Sequence, residues 1–193
     1  MITKIEYALM AGAAYKSTRP DANKFPVPQG WISFFPVPDK TTASAFTATN
    51  GFEARSFSNG TNIVISFAGT YDNPLNPLTN PDLQADIGLA TGFGSDQLTQ
   101  AVDYYLQVKA TNPNVAITLT GHSLGGGLAS LVGVFFGVPA TTFDQAPFAN
   151  SALASGVAAN LKAHLLAETF VADAPDVAAA KAAARDVFAP TPF

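Results

Sequence analysis

The chain has 193 residues, enough for one domain. Hydrophobic residues make up 48% and charged residues 12%, the reverse of the balance that keeps a chain disordered. The formal net charge is −4 with no basic block, which argues against capture of nucleic acid, and the absence of cysteine removes disulfides, thiolate metal sites and cysteine nucleophiles together.

Thr3 to Tyr15 reads as an amphipathic helix, with Ile5, Ala8, Leu9, Gly12 and Ala13 on one face and Lys4 and Glu6 off it. Pro20, Pro26, Pro28, Pro36 and Pro38 then forbid a helix between Ser17 and Asp39, and Trp31 to Phe35 is a short strand candidate within that loop. Phe52 to Phe57 and Asn62 to Phe67 read as strands. Ser58-Asn59-Gly60 joins them, Asn-Gly supplying the positive φ angles of a tight hairpin. Ile63, Val64 and Ile65 are consecutive and apolar, which predicts burial on both faces. A helix from about Asp96 to Ala110 follows, capped by Ser95 and stopped before Pro113. Val115 to Thr120 reads as a second buried strand. The next helix runs to about Phe136, where Gly137 and Pro139 end it. Ala140 to Phe143 is a third strand candidate, and Ser151 to Ala167 and the Ala-rich Pro175 to Val187 are helical. Strands alternating with helices after residue 60 predict an α/β sheet, parallel in its centre, with an antiparallel hairpin at one side.

The longest apolar stretch, Leu128 to Ala140, is interrupted by Ser130, Gly133, Gly137 and Pro139 and is too short to cross a bilayer. Glu6 sits where a signal peptide would carry its apolar core. The expectation is a soluble chain without a transmembrane segment, cytoplasmic or exported without a signal peptide. Fifteen phenylalanines hint at an apolar site beyond ordinary core filling.

The strongest chemical signal is Gly121-His122-Ser123-Leu124-Gly125, which fits G-x-S-x-G. A nucleophilic serine must stand clear of the sheet on a tight turn between strand and helix. Glycines two positions before and after let that turn close without Cβ clashes. A β-branched strand precedes the motif and a helical pattern follows it. The helix N-terminus places backbone N–H groups beside Ser123, where an oxyanion would form. Phe67-Ala68-Gly69-Thr70 ends an earlier strand, and such a loop supplies the second oxyanion donor of an α/β-hydrolase, here the Thr70 N–H.

Ile65-Ser66-Phe67-Ala68-Gly69-Thr70, with Thr120 to Ala129, resembles the class 3 lipases, the fungal-lipase-like branch of the α/β-hydrolases. That family's pattern runs F-R-G-T, D-x-x-x-D, G-F, then T-G-H-S-L-G-G-A-L-A. Asp82, Asp86 and Gly92-Phe93 fit its middle, whereas Ala68 replaces the Arg and Leu83 the Trp of its D-W pair. The likeness covers roughly residues 3 to 145. It implies an α/β-hydrolase core and ester hydrolysis through an acyl-enzyme, with Ser123 as nucleophile and the N–H groups of Thr70 and Leu124 as oxyanion hole. It further implies a lipid or small ester as substrate, transient contact with a lipid surface, and a lid near Tyr71 to Phe93. No metal or organic cofactor is implied.

A serine of this kind needs a histidine base oriented by a carboxylate, and only His122 and His164 exist. His122 adjoins Ser123, and neighbours on a strand point apart. In the resembling family it is a structural part of the motif. His164 lies within a helical pattern and reads as a surface or half-buried helix residue. Asp144 and Asp173 are the acid candidates. Asp173 is closer to the family's order, although Asp173-Ala174-Pro175-Asp176 also reads as an N-cap. The expectation is a single lipase-like domain over 1–193 that lacks its C-terminal part, where the base would lie. The alternatives are recruitment of His164, or a non-catalytic lipid- or partner-binding module.

Overall fold

The computed structural model describes residues 1–15, 24–34, 52–69, 96–150 and 155–167. Its elements in chain order are α1 (Lys4–Ala13), β1 (Ile32–Phe34), β2 (Ala54–Ser58), β3 (Asn62–Phe67), α2 (Asp96–Thr111), β4 (Ala116–His122), α3 (Leu124–Phe136), β5 (Ala140–Phe143) and α4 (Ser155–Ala167). The five strands form one sheet in the order β1-β2-β3-β4-β5. β1 to β3 are antiparallel neighbours, and β3, β4 and β5 run parallel. This is an α/β-hydrolase-type arrangement, with the expected hairpin at one side. The lid segment, the cap Ser95 and the helix expected from Pro175 fall outside the described residues.

α1 starts on a capping box. The Thr3 hydroxyl accepts from the Glu6 N–H, and the Glu6 carboxylate accepts from the Thr3 N–H at 2.7 Å. The same carboxylate accepts from Trp31 Nε1 at 2.9 Å, tying the loop before β1 to the helix. The helix buries Met10, Ala11, Gly12 and Ala13, whereas Ile5 is 74% exposed. The face expected from periodicity is therefore wrong at Ile5: Tyr7 from the first half of α1, with Met10 and Ala13, packs on the sheet instead.

In the β2–β3 hairpin Ser58 pairs with Ile63. Only Gly60 takes a positive φ, at 88°. Asn59 contributes its side chain instead, its Oδ1 accepting from the N–H groups of Thr61 and Asn62. The turn is thus an Asx-type loop rather than one with two left-handed residues.

Alternation along β3 sorts the core. Ile63, Ile65 and Phe67 pack among Leu98, Tyr104, Leu106, Leu124, Leu128, Leu131 and Leu161, under α2, α3 and α4. Val64 points the other way, into a smaller cluster with Met10, Ala13, Trp31 and Phe57 beneath α1. The two faces hold the sheet so that β3 and β4 end side by side, with Phe67 paired to Gly121. The carboxyl ends of parallel strands are where α/β folds place their sites.

Candidate functional site

β4 passes into α3 through Ser123 alone. Its backbone lies at φ 55°, ψ −127°, a left-handed φ that side chains other than glycine rarely adopt. The strain is held by three hydrogen bonds. The Ser123 N–H donates to the Phe143 carbonyl at 3.1 Å, and the Ser123 carbonyl accepts from the N–H groups of Gly127 and Ala146 at 3.1 and 2.9 Å. The turn closes only because glycines flank it. A Cβ on Gly121 would strike the Gly125 carbonyl, and one on Gly125 the Phe67 carbonyl. Gly126 packs on Gln145 in the same way.

This geometry leaves Ser123 half-buried, at the amino end of a 13-residue helix. The first N–H groups of a helix have no intrahelical acceptor, and its dipole favours negative charge there. Leu124 contributes the first of them while its side chain is buried at 1% exposure. The end of β3 closes on the same point. A Cβ on Gly69 would lie 2.7 Å from the His122 carbonyl and 3.2 Å from Ser123 Cβ. Gly69 therefore brings the β3 terminus against the serine. Thr70 and Asp173 fall outside the described residues.

Each histidine has a side-chain partner other than Ser123. The His122 ring is exposed on the α1 side, where its Nδ1 lies 3.2 Å from the Tyr15 hydroxyl. His164 Nε2 lies 2.9 and 3.0 Å from the two carboxylate oxygens of Asp103 on α2. The His164–Asp103 pair thus joins α4 to α2. Asp144 follows β5 with an exposed side chain and a positive φ of 42°, a turn conformation that Asp tolerates.

Two contributors were not legible in the sequence. Tyr15, 6% exposed, brings its hydroxyl to His122 and to Gly69. Nothing in its spacing from the motif marks it, since it reaches the site from the end of α1. Ala146 acts through its backbone N–H, which leaves no side-chain signature. Among the described residues no cluster of His, Cys, Asp or Glu could hold a metal ion, and no helix is long and apolar enough to cross a membrane.

A parallel strand, a strained serine turn and a helix, with the neighbouring strand's end against the serine, define a lipase-like α/β-hydrolase-type domain. The chain belongs to the phospholipase-like family of Tle-like phospholipase domains, whose profile matches residues 6–182. It is 38% identical over 104 residues to an extracellular phospholipase A1 of Serratia liquefaciens, a match covering 54% of this chain and 30% of that protein. Shorter matches reach proteins named as lipases, ATG15, of Kluyveromyces lactis (56% identity over 50 residues, 25% of this chain and 9% of that protein) and Eremothecium gossypii (58% over 50 residues, with the same shares).

Proposed function

We propose that this domain hydrolyses carboxylic esters of lipids through a serine acyl-enzyme, as the likeness to class 3 lipases implies. The observation that carries the reading is the backbone of Ser123, held at φ 55° between β4 and α3 with Gly69 packed against it. Strain of this kind persists only where the surroundings over-determine it, and it presents the Oγ clear of the sheet. Ser123 Oγ attacks the ester carbonyl carbon and gives its proton to a histidine base. The N–H groups of Leu124 and Thr70 hold the oxyanion. The C–O bond to the alcohol breaks, and the alcohol leaves with that proton. Water then releases the acid and restores the serine. Asp173 orients the base. His122 pairs with Tyr15 and His164 with Asp103, so the scheme takes as base a histidine other than these two.

The test is labelling by a fluorophosphonate probe and turnover of a p-nitrophenyl ester, in this chain and in one extended beyond Phe193. Both reactions are expected in the extended chain and abolished by Ser123→Ala. Turnover that survives Ser123→Ala, or that His164→Ala abolishes, would overturn the assignment. An extended chain inert to both reagents would leave the non-catalytic lipid-binding module as the reading.

A further inference from the structure

The Ser123 carbonyl accepts from two donors, the N–H of Gly127 within α3 and the N–H of Ala146 from the loop after β5. That carbonyl and the Leu124 N–H belong to one peptide unit. The unit is planar and trans, so its C=O and N–H point in opposite directions. Holding the oxygen therefore aims the N–H. A carbonyl that accepts two hydrogen bonds also polarises the N–H of its own peptide, which strengthens it as a donor. The Ala146 N–H, 2.9 Å from the Ser123 oxygen, thus fixes the Leu124 donor from behind.

Ala146 lies in a stretch with no helix or strand of its own, so its place has to be set by other contacts. β5 ends at Phe143, and Asp144 turns the chain at φ 42°. Gln145 comes next and is anchored at three points. Its Oε1 accepts from the Thr142 hydroxyl on β5 and from the Ser130 hydroxyl on α3, the latter at 3.3 Å. Its Cα and Cβ stand 3.1 and 2.9 Å from where a Cβ on Gly126 would lie, so its backbone rests directly on α3. The Gln145 carbonyl and the Ala146 N–H again form one planar unit, and the anchored residue sets how that unit faces. Gln145 is exposed, so burial in a core does not account for its placement.

We propose that Gln145 is a positioning residue for the oxyanion hole. Its carboxamide oxygen, shared by Thr142 and Ser130, holds the Ala146 N–H on the Ser123 carbonyl and thereby aims the Leu124 N–H. This rests on the serine acyl-enzyme reading and adds the support that keeps the donor in place. The developing oxyanion needs that donor more than the bound ester does, so loss of the support falls on kcat rather than on KM.

The test compares Gln145→Leu with Gln145→Glu, by p-nitrophenyl ester kinetics on the extended chain and by amide hydrogen exchange on the 193-residue chain. Leucine removes the acceptor at similar size. Glutamate keeps an oxygen that accepts from both hydroxyls. Deleting an oxyanion donor outright costs about 10²–10³ in kcat, and misaiming one costs less. Gln145→Leu is therefore expected to lower kcat about tenfold with KM and melting temperature little changed. It is also expected to speed exchange of the Ala146 amide about tenfold while the Leu128 amide keeps its rate. Gln145→Glu is expected to restore most of both. Thr142→Val, which leaves Gln145 in place and takes away one of its two donors, is expected to fall between. Wild-type turnover by Gln145→Leu, a loss in KM instead of kcat, or no rescue by Gln145→Glu would overturn the proposal. So would a fall in melting temperature with Leu128 exchange rising as much as Ala146 exchange. An extended chain that never cleaves an ester, while Ala146 exchange still follows Gln145, would sink the hydrolase reading and leave the strap standing. Ala146 exchange indifferent to Gln145 would sink the strap whatever the turnover.

Discussion

On one face of the sheet Ile63, Ile65 and Phe67 disappear beneath three helices; on the other, among the described residues, Val64 and its neighbours lie under α1 with Val27 and Trp31. The first layer is aliphatic and aromatic, with few polar atoms. The second is threaded with hydroxyls. Thr118 accepts from the Tyr7 hydroxyl at 2.9 Å, Thr120 donates to the Thr141 carbonyl at 2.7 Å, and the buried Ser66 Oγ has no hydrogen-bond partner among the described residues. Among the described residues the three-helix layer holds the larger buried cluster. The thin layer gives up packing and keeps a cavity beside Ser123, with Ala8, Tyr15 and His122 in its lining. A site needs room near the chemistry, and the fold concentrates its packing on the side that lacks it.

That contrast can be broken most severely from the thick side. Leu128→Ala leaves a void among residues that are almost wholly buried. It is expected to cost about 2–5 kcal/mol in urea unfolding, far more than Ala8→Phe, which fills that cavity on the thin side. Equal losses from the two would erase the distinction.

Ser123→Gly sharpens it from the elbow. Glycine adopts φ 55° freely, so the variant is expected to gain about 1 kcal/mol in stability while losing all fluorophosphonate labelling. A variant less stable than wild type would mean that the serine side chain contributes more packing than its backbone stores as strain.

His164→Ala breaks the pair with Asp103. Both side chains are about a fifth exposed, so the expected loss at pH 7 is under about 1 kcal/mol, with labelling by the extended chain unchanged. A loss of labelling would place His164 in the chemistry after all.

The smallest effect belongs to Glu6 on the thin side. Hydrogen bonds from the Thr3 backbone first, and then from Trp31, hold its carboxyl below the usual value of 4.5. A depressed carboxylate contributes stability above that value and loses it as pH falls through the folded one. Glu6→Gln is therefore expected to flatten the acid limb of the stability curve below about pH 4.5, by a small amount given its exposure. An unchanged acid limb would remove Glu6 as its cause.

The parts of this fold legible in the sequence are those where one local signal decides. The β-branched run at 63–65, the glycines about Ser123 and the stop at Gly137, which takes φ 65°, each carry their own instruction. The misreadings fall where tertiary contact decides. Ile5 fits the helical period but is 74% exposed, while Tyr7 two positions on packs against the sheet. Asn59 has the residue type for a left-handed turn, yet its side chain finds two backbone donors and takes that job instead. At the site, Ser123 announces itself through its neighbours in the chain. Tyr15 and Ala146 do not, because they reach it from α1 and from the loop after β5.

The clamps on Ser123 also set an order of events. Its N–H is held by Phe143, twenty positions onward, and its glycine flank closes against Phe67, more than fifty positions back. No local segment can hold the turn in its strained form, so the elbow takes shape only when β3, β4 and β5 have already met. Contacts of such sequence separation are slow to form. During refolding, helical circular dichroism is expected to recover first and reactivity toward a serine probe last. The chain would then stay chemically silent until its sheet is assembled.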